Sequence, residues 1–450
     1  MKKLMLICAP VSSRSGYGDH ARDLTLSFIK HDKYDVKIMD VPWGNCPRNA
    51  LDENNKNDKI LLDCILPEPK MDRRPDVYVD IRIPNEFQTW GKFNIGITAG
   101  IETTAVSNSW LEGCNKMDLV LVPSKHSMDG FTTAIYDKLQ QNSTGEQEKV
   151  GELKLEKPME VLFEGADEEI YKPIENASLD LVDDIKEDFC FLHVGMWGTG
   201  GFGEDRKDIA KTIKIFLESF ANKKEQPALI LKTNGATFSI MDREDCLNKI
   251  KQVKDMFPID WKLPNIYLLH GSLSTKEMNK LYNHPKVKCF VSLTHGEGFG
   301  RPMLEASMVG LPVITSGWSG HLDFLSESDS LLLGGKLIDV PKSQHWKNII
   351  IPESQWFTVN EQQTYKAFNY CFEKINELTT RAKNLMKTNR EKFTLDKMTE
   401  KLDEIMAKIN IPDSPNQVGL TLPKLKKVGK TEPPKIKLPK LKKVTSEVGV

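Results

Sequence analysis

No stretch of the 450 residues is both long and apolar enough to cross a bilayer. Met1-Lys-Lys followed by Leu4–Ala9 imitates the start of a signal peptide, but the apolar run is too short, Pro10 closes it, and a glycine-containing turn follows. A first β-strand is the reading. An excess of charge is also missing: 62 Lys and Arg stand against 63 Asp and Glu, for a net charge of −1. No whole-protein field therefore draws the chain to nucleic acid or membrane. The eight cysteines form no C-x-x-C and no His/Cys cluster. That argues against a structural zinc and for buried thiols in a reducing compartment, so a cytoplasmic protein is expected. The chain also lacks a D-x-D triplet.

The charge balance is uneven along the chain. Residues 414–450 hold nine lysines, two glutamates, five prolines and no aromatic residue, and Leu-Pro-Lys-Leu-Lys-Lys-Val occurs at 422–428 and again at 438–444. Such a composition cannot build a packed core, so residues 413–450 are expected to be a basic, disordered tail. It is either a solvating extension or a tether to an anionic partner such as a membrane surface, nucleic acid or an acidic protein.

What is present is an alternation of strands and helices, which implies mainly parallel sheets covered on both faces. Strands are expected at Lys3–Cys8, Val36–Met39, Val77–Ile81, Phe93–Ile97 and Leu119–Val122, with a last short one near Pro158. Between the first two, Arg14-Ser-Gly-Tyr-Gly18 reads as a turn and Asp19 as the N-cap of a helix running to about Lys30. Residues 140–158 are polar and read as a surface excursion. A second series begins at Phe189–Val194 and continues through Ala228–Leu231, Ile266–Leu268, Cys289–Leu293 and Val313–Thr315. Residues 359–409 carry helical periodicity.

The richest segment is Thr294-His-Gly-Glu-Gly-Phe-Gly-Arg-Pro-Met-Leu-Glu-Ala-Ser-Met-Val-Gly-Leu-Pro-Val-Ile314. It is a strand–turn–helix–strand unit whose turn opens at the carboxyl end of a strand, where open α/β sheets place their ligands. Gly296, Gly298 and Gly300 permit positive φ and close backbone approach, Pro302 suits a first helical turn, and Gly310 can end the helix. Glu297 and Glu305 can then face one cleft from two depths. Spaced carboxylates alone would be read as solvated; the glycines, Pro302 and flanking strands make this a ligand site.

This segment, with Glu297 and Glu305 eight positions apart, resembles the signature of the group-1 family of retaining, nucleotide-sugar-dependent glycosyltransferases. The resemblance implies a GT-B architecture: two Rossmann-like βαβ domains facing across a cleft, with a C-terminal helix crossing back to the first domain. The expected division is 1–173 for the acceptor-side domain, 174–394 for the donor domain, and 395–412 for the returning helix.

The resemblance also implies roles. Glu297 would bind the donor sugar and stabilise an oxocarbenium-like transition state, and Glu305 would accept from the ribose hydroxyls. Gly298, Phe299 and Gly300 would line the donor. Gly195-Met-Trp-Gly-Thr-Gly-Gly-Phe-Gly203 is followed by Arg206-Lys207, a basic pair that would neutralise the leaving diphosphate, as guanidinium and ammonium groups do without a metal. Asp205 beside the pair is unhelpful for anions. Gly16 and Gly18 would face the donor pyrophosphate, and Glu102 would lie on the acceptor side. Many relatives hold the donor sugar with a first-domain histidine; no residue here matches it, and Asp80 or Arg82 would occupy similar space. Pro123-Ser-Lys-His126 would line the cleft, and Ser316–Phe324 would lie beside the nucleotide, with Trp318 and His321 either there or in ordinary packing.

The expected activity is transfer of a sugar from a nucleoside-diphosphate sugar to a glycan or glycoconjugate, with no cofactor and no metal. The alternatives are a transferase acting on modified bases of DNA and a non-catalytic sugar-nucleotide-binding relative. Donor sugar, base and acceptor are not encoded in any readable motif.

Overall fold

The computed structural model describes residues 2–142, 146–235 and 237–411. The basic tail and its repeat lie outside the described residues.

Sixteen strands are described. In the first half they are β1 (Lys3–Ala9), β2 (Tyr34–Asp40), β3 (Val77–Ile81), β4 (Phe93–Ile97), β5 (Leu119–Val122), β6 (Tyr136–Gln141), β7 (Gln147–Leu153) and β8 (Met159–Val161). In the second half they are β9 (Cys190–Val194), β10 (Ala228–Lys232), β11 (Ile266–Leu269), β12 (Val287–Ser292), β13 (Val313–Ser316), β14 (Leu331–Leu333), β15 (Gly335–Asp339) and β16 (Gln355–Val359). Two six-stranded sheets result, ordered β2-β1-β3-β4-β5-β8 and β11-β10-β9-β12-β13-β14. All neighbours within both sheets are parallel.

The core strands are buried along nearly their whole length, as sheets covered on both faces require. One face of the second sheet packs an aromatic group of Phe191, Phe216, Phe220 and Phe368. The other face holds Leu192, Phe290, Phe299 and Leu304. The fold is GT-B, two Rossmann-like domains. Helix Leu395–Ala407 returns to the first domain, where Met398, Leu402 and Ile405 join the core beside Leu24 and Phe28. Its entry is fixed by Leu395 N–H donating to Ala166 O at 2.8 Å and Ala166 N–H donating to Phe393 O at 3.0 Å.

Strand order places the site. In the second sheet β10 and β11 lie to one side of β9, and β12, β13 and β14 to the other. The β9/β12 boundary is therefore the switch point, outside whose carboxyl ends α/β sheets bind ligands. The chain leaving β9 carries Gly195 to Arg206-Lys207, and the chain leaving β12 carries Thr294 to Glu297.

One local expectation is corrected. The first helix is Gly16–Lys30 and its N-cap is Ser15, whose Oγ accepts from Gly18 N–H at 3.0 Å, so Gly16 and Gly18 are in the first helical turn and Asp19 is not the cap. Ser15 has the extended backbone that a cap needs (φ −154°, ψ 161°), and Asp19 is held by Arg22. The surface excursion expected at 140–158 is exposed where described, and β6 and β7 pair there as an antiparallel hairpin. The second domain also carries a hairpin, β15–β16, that periodicity did not reveal. Among the described residues no helix is long and apolar enough to cross a membrane.

Candidate active site

The β9/β12 switch point brings Arg206, Lys207 and Glu297 into direct contact. Glu297 Oε1 lies 2.5 Å from Lys207 Nζ and Oε2 lies 3.0 Å from Arg206 Nη1. Arg206 Nη1 also donates to Gly296 O at 3.0 Å. Glu297 is 6% exposed and Lys207 8%. Burial pushes the Glu297 carboxyl up, but Lys207 and then Arg206 outweigh it and hold the group down at about 2. Burial works the other way on Lys207, which lies below its usual value despite Glu297. Glu297 is thus a fixed anion at any working pH, and both cations are held at its oxygens.

The backbone of this turn is braced on both sides. Glu297 N–H donates to Ser319 Oγ at 2.9 Å, and Gly320 N–H donates to Glu297 O at 2.9 Å. The first domain closes over the same turn. A Cβ on Gly296 would lie 2.0 Å from Glu102 O, and one on Gly298 2.0 Å from Ala99 O, so glycine is required for close approach rather than for positive φ. Left-handed backbone occurs at Gly300 (φ 102°), which precedes helix Arg301–Met308, and at Gly310 (φ 78°), which follows it. Ser124 Oγ donates to Gly298 O at 2.6 Å across the same seam.

Glu102, expected on the acceptor side, comes within 3.5 Å of Arg206 Nε through Oε1. Glu102 thus reaches the cation pair directly from the first domain. Gly16 and Gly18 do not touch Glu297. Gly18 is buried where a Cβ would strike Ser13 O at 2.1 Å, and Gly16 is open. The residue between them makes the connection: Tyr17 Oη lies 2.9 Å from Thr98 Oγ1 and accepts from Ala99 N–H at 3.0 Å, beside the loop that covers Gly298. Asp80 and Arg82 bond each other, with Tyr78 Oη and Gln88 N–H also donating to Asp80, and they are not brought to Glu297. Phe299 turns its ring into the core against Phe324.

Glu305 is held apart from Glu297. Arg301 Nε donates to its Oε1 at 3.1 Å, an i,i+4 pair on one helix, and Tyr282 Oη donates to its Oε2 at 3.1 Å. Arg301 Nη1 bonds Asp23 of the first domain at 2.6 Å. Burial raises the Glu305 carboxyl, with Arg301 opposing. Glu164 joins this group from the loop after β8. It is raised to about 8 by burial, with Asp23, Asp19 and Glu305 adding to the effect and Arg301 opposing it.

Asp205 directly precedes the basic pair. It is buried and raised to about 7, by burial first and Asp208 second, and its Oδ2 faces Ile209 N–H. Trp318 lies against Gly296 and edge-on to His126 (4.6 Å), so it belongs to the site wall; His321 bonds Ser316 O at 2.6 Å and is structural. Ser319, His295, Asp208 and Arg301 were assigned no role from sequence. Arg301 was findable from its spacing to Glu305, and His295 and Asp208 from their place beside Glu297 and Lys207 in the chain; Ser319 is joined to Glu297 by a tertiary contact.

Residues 206–351 match the family described as "Glycosyl transferases group 1". The chain carries a group 1 glycosyltransferase segment. No curated protein matches the chain. Solved structures share its architecture. HepE from Anabaena, in complex with UDP and glucose, aligns at 13% identity and a TM-score of 0.59, covering 90% of this chain and all of that one. A sucrose-phosphate synthase from Thermosynechococcus elongatus aligns at 12% identity and 0.59, over 90% and 98%. A structure of trehalose-6-phosphate from E. coli bound with UDP-2-fluoro glucose aligns at 11% and 0.55, over 90% and 99%. At these identities the likeness shows the fold.

Proposed function

We propose that this protein is a glycosyltransferase that moves a sugar from a nucleoside-diphosphate sugar to a hydroxyl of a glycan or glycoconjugate, with retention and without a metal. The observation that carries the reading is the buried Glu297 carboxylate held between Arg206 and Lys207 at the second domain's switch point, inside the matched family segment. A diphosphate entering here would compete with Glu297 for the two cations. Those cations would then neutralise the charge growing on the leaving phosphate. Glu297, freed toward the sugar, would stabilise positive charge developing at the anomeric carbon. The bond from that carbon to the phosphate oxygen breaks and a bond to the acceptor oxygen forms. The acceptor proton passes to the departing phosphate, and no covalent enzyme intermediate is formed. The first-domain contacts over Gly296 and Gly298 exclude water that would otherwise hydrolyse the donor. Eight free thiols, six of them buried, fit a cytoplasmic setting.

The test is a donor panel of uridine, guanosine and adenosine diphosphate glucose, read by thermal shift and by release of nucleoside diphosphate. UDP-glucose comes first because the HepE structures include complexes with UDP and with UDP-glucose. One donor should raise the melting temperature through mass action and be turned over. Stabilisation and turnover by none would sink the reading. Turnover abolished by chelation and restored only by a divalent metal would sink its metal-free part, and an inverted product anomer its stereochemical part.

A further inference from the structure

Lys232 is the last residue of β10, at the carboxyl end of the second sheet, where the site lies. Its Nζ donates to Gly271 O at 2.7 Å, and among the described residues no carboxylate pairs with it. Burial alone pushes the ammonium down, to about 8. A desolvated cation with no anion beside it is costly, and proteins ordinarily pair such charges. The bond to Gly271 uses one of three N–H groups. The mechanism above gives this lysine no part.

Its backbone is tied to the turn that carries the basic pair. Gly195 N–H donates to Lys232 O at 3.2 Å, Trp197 N–H donates to Asn234 O at 2.8 Å, and a Cβ on Gly195 would lie 3.3 Å from Lys207 Cε. Its Nζ reaches the other way, to the loop after β11. Neighbouring strands are about 4.8 Å apart, so that loop lies roughly 12 Å from the β9/β12 boundary. A nucleotide whose phosphates sit on Arg206 and Lys207 brings its base, not its phosphates, to that distance. The opposite direction is filled: Trp318 lies against Gly296, and Gly320 N–H donates to Glu297 O. Glu305 is also drawn to the β11 side, since its partner Tyr282 is on helix Thr275–Asn283, which follows β11.

The corner around Gly271 suits a flat heterocycle. A Cβ on Gly271 would meet nothing within 4 Å, so the space beside it is open. Phe238, 37% exposed, stands edge-on to His270 at 6.4 Å and 73°. From the first domain, Arg14 Nη1 donates to Ser272 Oγ at 3.2 Å. The carboxylate of this corner, Asp242, is taken by His270 Nε2 at 2.7 Å and Gly235 N–H at 2.9 Å. Adenine and cytosine present an exocyclic amino donor, which an ammonium cannot accept. Uracil, thymine and guanine present a keto oxygen in its place, and an ammonium can donate to it.

We propose that Lys232 selects the base of the sugar nucleotide: its ammonium donates to an exocyclic keto oxygen, so the donor carries uracil, thymine or guanine rather than cytosine or adenine. This rests on the glycosyltransferase reading, because the diphosphate site at Arg206 and Lys207 is what brings the base to the β10 and β11 ends.

The probes are UDP, CDP, GDP, ADP and inorganic pyrophosphate, with Kd measured by calorimetry on the full chain. UDP and CDP share ring size and phosphates and differ at the keto or amino edge, as do GDP and ADP in part. Whichever of UDP and GDP binds more tightly should exceed its amino counterpart by roughly tenfold or more. Lys232→Met should bring that ratio within about threefold, chiefly by weakening the keto nucleotide, and should leave pyrophosphate unchanged. Lys232→Gln, which keeps an N–H donor, should recover part of the preference. A wild type that binds CDP or ADP most tightly, or whose ratio is below about threefold, would overturn the proposal. So would a Lys232→Met protein with the wild-type ratio, or one in which all four nucleotides and pyrophosphate weaken equally, as a phosphate contact requires. If Lys232→Met fails to fold, the wild-type ratio and Lys232→Gln decide. A wild type that binds none of the four nucleotides would refute the glycosyltransferase reading and this proposal together, whereas binding without regard to the keto edge would refute this proposal alone.

Discussion

Glu297 and Glu305 are both buried, both bonded to an arginine, and eight residues apart in one strand–turn–helix segment, yet their carboxyls are driven in opposite directions. Glu297 faces two cations, one of which also lies 3.5 Å from Glu102, and it is held at about 2. Glu305 shares one cation, Arg301, with Asp23, and Glu164 and Asp19 lie within the same field. Desolvation disfavours both charges. The number of cations per carboxylate decides which side wins. In the proposed reaction the anion with two cations gives them up to a diphosphate, whereas carboxylates that outnumber their cation are raised by burial and, through Arg301 and Asp23, link the two domains.

The largest expected effect separates the two directly. Glu297→Gln should cut donor turnover roughly 1,000-fold, because it removes a fixed charge at the reacting centre, while Glu305→Gln should cost closer to about tenfold. Equal losses in single-turnover kinetics would break the comparison. Next in size is stability. Arg301→Met leaves Asp23, Glu305 and Glu164 without their shared cation and should cost about 3 kcal/mol in denaturant unfolding. Lys207→Met leaves Glu297 still paired with Arg206 and should cost less. The reverse order would mean that the cation count was misread.

The smallest effect is in pH dependence. Glu164 has an ordinary carboxyl value of 4.5 and is raised to about 8 in the fold. The folded chain therefore binds this proton more tightly than the unfolded chain. The resulting stability is fully present below the ordinary value and is lost as pH rises through about 8. Glu164→Gln should flatten the fall in melting temperature between about pH 5 and 8. A variant whose profile superimposes on wild type would show that Glu164 does not carry the proton. Glu297 should give no comparable transition above about pH 3, since its folded value is low.

Much of the second domain was legible. Strand positions follow from buried apolar runs such as Phe191–Val194 and Val287–Ser292, and the Glu297–Gly310 turn and helix follow from Gly300, Pro302 and Gly310. The first domain was less so. Ser15 rather than Asp19 caps its first helix, because a cap depends on which residue leaves the helical backbone, and both types can serve. Asp80 and Arg82 were candidates for the cleft, but they satisfy each other within the domain. The β15–β16 hairpin escaped because Gly335–Asp339 is exposed along most of its length and has no buried face to show a period of two.

The sequence alone determined the alternation of elements, the two-sheet architecture, and a glycine-rich turn bearing Glu297 with a basic pair some ninety residues earlier. Local propensity and periodicity are written in neighbouring residues, and these features need nothing more. Only the tertiary structure decided that Arg206 and Lys207 meet Glu297, and that Glu305 is drawn into a shared cluster with Asp23 and Glu164. Each of these depends on strand order and on burial, which set the distance and the screening between charges far apart in the chain.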